Sequence, residues 1–218
     1  MSKLFRSDLK IIVLGKAGTG KTSFVNQWTK GTFNENYKAT IVSEFGFKIF
    51  DDNGTSYRIQ IWDLAGQDNN ATVTKIFAKD SHGVVILSEA NMKETRQQAI
   101  DWKNSVEEAA SFMDGGKLPS ILVENKADLL EDPNEGEEEL NQFASDNGFV
   151  GSFRTSAKTG MNVNESMTFL IKNIIKRMED IQAKESKDVF TTERKNVNLD
   201  PKVHRTIALK KERKGNCC

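Results

Sequence analysis

Eight residues, GKAGTGKT from Gly15 to Thr22, constrain this chain more than any others. They follow an apolar run, LKIIVL at 9–14, and fit G-x-x-x-x-G-K-[ST]. The spacing has a geometric reason. Gly15, Gly18 and Gly20 let successive backbone N–H groups turn inward around phosphate oxygens. The helix that follows adds the positive end of its dipole. Lys21 then reaches the β- and γ-phosphates, and the Thr22 hydroxyl is a ligand for Mg²⁺.

The rest of the chain alternates strands and helices. From Thr22, the spacing Phe24, Val25, Trp28 predicts an amphipathic helix. Runs at 41–50 and 55–62 are rich in Ile, Phe, Tyr and Trp and are separated by DDNG, a strong hairpin signal. Further strands are expected at 83–88, 119–124 and 149–154, with helices from Met92 to Met113, near 135–145 and from Val163 to about Ile181. Asn162 and Glu165 resemble a capping box at the start of the last. Such alternation implies a mostly parallel sheet covered on both faces. At roughly 150 residues per domain, the 218 residues allow one large domain and a tail. The expected division is a domain at 8–181 and a flexible tail at 182–218.

A phosphate-binding loop does not select a base. NKAD, from Asn125 to Asp128 after an apolar strand, does. Ligands of open α/β sheets lie beyond the carboxyl ends of the strands. A carboxylate there accepts from both the ring N–H and the exocyclic amine of guanine, a donor pair that adenine lacks, and a site built for paired hydrogen bonds rejects the wrong base. TSAK, from Thr155 to Lys158, follows the next strand. WDLAGQ, from Trp62 to Gln67, ends the second hairpin strand. Asp63 lies where a second Mg²⁺ contact is needed, Gly66 would let backbone approach the γ-phosphate, and Gln67 is placed to orient an attacking water.

The order P-loop, Thr40, DLAG, NKAD, TSAK resembles the small GTPases of the Ras superfamily, specifically the Rab family, over roughly residues 8–180. The resemblance implies an α/β P-loop NTPase fold: a six-stranded, mostly parallel sheet with one antiparallel strand and helices on both faces. It implies GTP or GDP as ligand and Mg²⁺ as cofactor. Thr40 becomes the switch threonine that binds Mg²⁺ and γ-phosphate, beside Thr22 and Asp63. Phe33 packs on guanine; Ser156, Ala157 and Lys158 complete the base pocket; Ala17, Thr19, Ser23, Tyr37 and Lys126 join the nucleotide contacts. Lys21 and Gln67 carry catalysis. Phe45, Trp62 and Phe77 fall where Rab proteins present an aromatic triad to effectors. Cys217–Cys218 resembles the Rab double-geranylgeranylation signal.

The partners so implied are effectors, an exchange factor, a GTPase-activating protein, a prenyl transferase with its escort protein, and a GDP-dissociation inhibitor. The location implied is the cytoplasmic face of endosomal, lysosome-related or Golgi membranes, held by a lipid anchor, with a cytosolic pool. NYKATI, the long 111–119 connection and GFVGSFRTSAK resemble the subgroup linked to lysosome-related organelles. The chain departs from the Rab pattern at IVSEF (Ile41–Phe45), at Asp68–Asn70, at Ala17 and at Glu124, where a small residue is common before the NKxD motif.

Composition closes other routes. Lys+Arg and Asp+Glu are both 31, so the chain is not a general polyanion binder and no nucleic-acid role is expected. Residues 201–218 hold six bases and one acid, a local +5. No apolar run reaches the ~18 residues that span a bilayer, and no secretory leader is expected. The two cysteines are terminal and the two histidines far apart, which excludes disulfide frameworks and Cys- or His-built metal sites. EDPNEGEEE at 131–139 reads as a solvated helix entrance, and Trp28 and Trp102 as core. Neither His82 nor His204 has a partner in the sequence. The function the resemblance implies is a guanine-nucleotide switch in membrane traffic with slow intrinsic GTP hydrolysis. Two rivals stand beside it: a metabolic P-loop kinase, which leaves NKAD and TSAK unexplained, and a GTP-locked or pseudo-GTPase interaction module.

Overall fold

Leu9, Ile11, Ile12, Val13 and Leu14 are fully buried at the centre of strand β1 (Leu4–Gly15). Branched apolar side chains suit a pleated surface covered on both sides. The computed structural model describes residues 4–35, 40, 43–66, 71–133 and 135–196. Around β1 the sheet adds β2 (Ser43–Asp52), β3 (Thr55–Leu64), β4 (Gly83–Glu89), β5 (Ser120–Asn125) and β6 (Gly151–Arg154), in the order β2-β3-β1-β4-β5-β6. Every neighbouring pair is parallel except β2 with β3. Their hairpin turns on Asn53 and Gly54, both at positive φ (47° and 84°), as a two-residue loop matched to the strand twist requires. The register sets Phe45 opposite Trp62.

Every residue of β4 and β5 is buried, so both sheet faces are covered at the centre. The covering helices are α1 (Lys21–Lys30), α2 (Ala71–Ala78), α3 (Thr95–Ala109), α4 (Glu137–Asp146) and α5 (Val163–Asn196). Trp28 and Trp102 are buried on α1 and α3, as expected. Leu170 and Ile174 of α5 lie so close to Gly83 that a Cβ there would stand 2.6 Å from Ile174 Cδ1. Among the described residues no helix is long and apolar enough to cross a membrane.

Several boundaries differ from the expected ones. Helix α3 begins at Thr95 because the Thr95 hydroxyl accepts from the Glu89 N–H (2.8 Å), which closes the preceding turn. It ends at Ala109 because Ala110 is extended (φ −150°, ψ 150°). The short α2 carried no sequence signal. Helix α5 continues to Asn196 instead of stopping near Ile181. The chain falls into two units, residues 1–176 and 177–218; the described part of the second is helical. The Asn162 side-chain amide donates to the Arg154 carbonyl at 2.9 Å, so it tethers the helix start to β6.

His82 does have a partner. Lys10 N–H donates to its Nδ1 at 3.1 Å, and the His82 N–H returns a bond to the Lys10 carbonyl at 2.8 Å. Burial, then the nearby Lys10 charge, pushes the imidazole below its usual pKa. The folded protein therefore holds His82 neutral where the unfolded chain takes up a proton. This contribution is present above about pH 6.5 and is lost as pH falls below it. His82→Asn, which keeps an acceptor that does not titrate, is expected to flatten the fall in denaturation midpoint between about pH 7 and about pH 5.

Candidate nucleotide site

The loop after β1 returns the chain into α1 through Gly20, held left-handed at φ 89°. No side chain caps α1, so its first N–H groups face the loop without a competing acceptor. Lys21 is buried and folds back: its ammonium donates to the Gly15 and Lys16 carbonyls at 2.8 and 2.9 Å. Burial lowers its pKa to about 8, with Asp63 opposing the shift. The Thr19 hydroxyl donates to the Lys16 carbonyl (2.9 Å), and Ala17 N–H donates to the Gly66 carbonyl (2.9 Å). Gly66 thus reaches the loop from the end of β3. A Cβ there would meet Lys21 Nζ at 2.3 Å, Ala17 N at 2.5 Å and the Gly15 carbonyl at 2.7 Å, so only glycine fits this approach.

Three oxygen-bearing side chains gather beside Lys21. Thr22 Oγ1 lies 2.5 Å from Asp63 Oδ2 and 2.9 Å from Thr40 Oγ1. Asp63 is fully buried, and burial lifts its pKa to about 6 against the pull of Thr22 and Lys21. Its second oxygen, Oδ1, has no hydrogen-bond partner. An orphaned carboxylate oxygen beside two hydroxyls, all hard oxygen donors, fits a Mg²⁺ ion.

The base end is built by two loops that bond to each other. Asn125 donates to the Thr19 carbonyl at 2.9 Å, while its oxygen accepts from Ala157 N–H (3.0 Å) and the Thr155 hydroxyl (3.2 Å). Asp128 Oδ1 accepts from the Ser156 hydroxyl at 2.5 Å. Lys126, left-handed at φ 67°, pairs with Glu89 at 2.7 Å, and Lys158 pairs with Glu35 at 3.2 Å. Together they enclose a cavity of about 490 Å³ lined by Gly18, Gly20, Ser23, Phe33, Asp128 and Lys158 among others. Asn34, Glu35 and Leu129 also line it, and none of them carries a motif signal. Tyr37, Gln67, Asp68–Asn70, Cys217 and Cys218 lie outside the described residues.

Away from the cavity, Trp62 stacks obliquely between Phe45 (4.9 Å) and Phe77 (5.4 Å). Phe45 is 54% exposed, so the aromatic cluster opens to the surface and is not sealed core. The acidic run is a helix entrance as expected, with Glu137–Glu139 in the first turn of α4, but Glu139 is bonded to Lys93 and Arg96.

Gly20 joins the two ends of the cavity. A Cβ there would sit 2.5 Å from the Asn125 side-chain nitrogen, on a left-handed backbone. Gly20→Ala is expected to cost about 2–3 kcal/mol, from backbone strain and the displaced Asn125 bond. GDP and GTP affinity should fall together, by roughly tenfold to a hundredfold in a titration.

The phosphate loop, the hydroxyl–carboxylate cluster and the cross-tied base loops at the strand ends define a P-loop nucleotide-binding protein. The family model described as the Ras family matches residues 10–176. Over 210 residues the chain is 30% identical to the Ras-related protein Rab-32 of Sus scrofa, covering 96% of this chain and 88% of that protein. It is 35% identical to Rab-32C of Dictyostelium discoideum over 183 residues (84% and 79% of the two chains). Rab-7L1 of Homo sapiens is 30% identical over 176 residues (80% and 86%). The chain belongs to the Ras family as a Rab small GTPase, an enzyme that hydrolyses GTP. The metabolic-kinase alternative is thereby set aside.

Proposed function

We propose that the chain is a guanine-nucleotide switch of membrane traffic, with residues 8–181 as the switching domain and the residues beyond as its membrane tether. The contact that carries this reading is Thr40 Oγ1 on Thr22 Oγ1 at 2.9 Å. It joins the segment after α1 to the phosphate end of the cavity, while Gly66 makes the same approach from β3. Two segments would then respond to one phosphate group: bound γ-phosphate orders them, and its loss releases them.

In this scheme the backbone of Ala17 to Gly20 and the Lys21 ammonium hold the phosphates. Lys21 exchanges its bonds to the Gly15 and Lys16 carbonyls for phosphate oxygens, which also restores its charge against burial. Thr22, Thr40 and Asp63 would hold Mg²⁺, whose charge offsets that building on the β- and γ-phosphates. Gln67 orients water. Phe33 and Lys158 cover the base, whose edge faces Asp128. Of the arginines, Arg58 is paired with Asp8, and Arg96 and Arg154 with Glu124, so these three are held away from the phosphates. Turnover without an activating protein that supplies a charge is therefore slow.

Phe45, Trp62 and Phe77 form the surface that effectors read, next to both responsive segments. Regulators, a prenyl transferase with its escort protein and a GDP-dissociation inhibitor are the partners this cycle needs. The membranes proposed are endosomal, lysosome-related or Golgi.

Thr22→Asn tests the scheme. It removes a hydroxyl ligand worth about 1.5–3 kcal/mol and should weaken Mg²⁺-dependent GTP binding by roughly tenfold or more, with a smaller loss for GDP. In cells, the tagged full-length variant should leave the organelle that the parent occupies. Equal GTP affinity and an unchanged distribution would overturn the switch reading.

A further inference from the structure

Glu124 stands immediately before Asn125, at the end of β5, and is fully buried. Two arginines from different elements share its carboxylate. Arg96 of α3 donates from Nε to Oε1 at 2.5 Å. Arg154, the last residue of β6, donates from Nη2 and Nε to Oε2 at 2.8 and 3.2 Å. Each guanidinium then bonds onward. Arg96 Nη1 donates to Glu139 at 2.7 Å, and Arg154 Nη1 donates to the Pro133 and Glu135 carbonyls. The Glu124 carboxylate and both guanidinium groups are buried, whereas Glu139 is exposed and is shared with Lys93 (2.8 Å).

A buried ion cluster adds little net stability, because desolvation offsets the attraction. What it supplies is geometry, and this one sits where geometry matters. Glu124 and Arg154 are paired in the β5–β6 register, and Thr155 N–H donates to the Glu124 carbonyl at 2.8 Å. The residues directly after them open the two loops that face the base. Strand β6 has only four residues and lies at the sheet edge, so few backbone bonds fix its end. The two arginines also hold the Pro133 and Glu135 carbonyls and the first turn of α4, in the segment that follows Asp128.

We propose that Arg96, Glu124 and Arg154 are positioning residues for base recognition: their ion cluster fixes the ends of β5 and β6 so that Asp128 and Ser156 meet the guanine edge in register. This rests on the assignment of Asp128 as the guanine acceptor.

The test measures dissociation of GDP and of inosine diphosphate, which lacks the exocyclic amine, from the full-length protein, together with the melting temperature. The parent should hold GDP at least about tenfold longer than inosine diphosphate, since one charge-assisted hydrogen bond separates them. A parent without that preference overturns the guanine assignment and the proposal with it. Arg154→Lys keeps the charge but loses the fork. It should release GDP about tenfold faster and shrink the preference severalfold. Should that variant fail to fold, Arg96→Met/Glu124→Leu/Arg154→Leu decides, because apolar replacement of buried ion clusters preserves folding. A parent that prefers GDP, with a folded variant that keeps both rate and preference within about twofold, shows the cluster to be structural only and overturns the proposal.

Discussion

Asp128→Asn is expected to turn the protein from a guanine to a xanthine nucleotide binder. In the proposed role the carboxylate would accept from two donors on the guanine edge; an amide offers one donor and one acceptor, which suits xanthine. Ser156 already bonds Asp128 Oδ1 at 2.5 Å, so the side chain is held and cannot swing away from a mismatch. Leaving a site's polar groups unpaired costs discrimination on the order of 10²-fold or more. GDP affinity should fall by at least that factor while xanthosine diphosphate binding rises. Both are read by displacement of a fluorescent nucleotide. The residues proposed to hold phosphate and Mg²⁺ are left as they were.

Changing both Cys217 and Cys218 to Ser should remove the protein from membranes while leaving nucleotide binding intact. The proposed modification of Cys217–Cys218, which do not form a CaaX sequence, would use the Rab-type transferase. One lipid chain binds a membrane only marginally, whereas two, or one with basic residues, hold stably. If both cysteines are prenylated they would supply two chains, and the +5 of residues 201–218 would add up to ~1 kcal/mol per base near anionic lipid. Neutralising Lys210, Lys211, Arg213 and Lys214 should therefore weaken binding without abolishing it. Fractionation decides: a double-serine variant that sediments with membranes as the parent does is anchored by something else.

What was legible in the sequence was local. The phosphate loop, the Asn53–Gly54 turn and the apolar strands are set by residues within a few positions of one another, so their geometry follows from φ preferences and side-chain period. Helix α5 was legible only to Ile181, because its apolar face ends near Met178. Beyond that point the sequence is rich in Lys, Glu and Arg, which favour a helix but leave no apolar stripe to mark it.

Non-local pairings were not legible. Glu124 looked like an anomaly before NKAD until the β5–β6 register set it against Arg154, thirty positions away. His82 likewise acquired its partner only when β1 passed beside it. Glu35 and Leu129 entered the cavity wall through loop placement, which no short motif encodes.

In the proposed function one cavity both selects guanine and turns GTP into GDP. Full-length protein freed of nucleotide, loaded with Mg²⁺ and an equimolar mixture of GTP and ATP, and sampled over time for bound and released nucleotide, tests both parts together. The expected result is bound guanine nucleotide only, converting slowly from GTP to GDP while ATP stays free and intact. Bound ATP in comparable amount, or GTP that remains unhydrolysed through the whole time course, would contradict it.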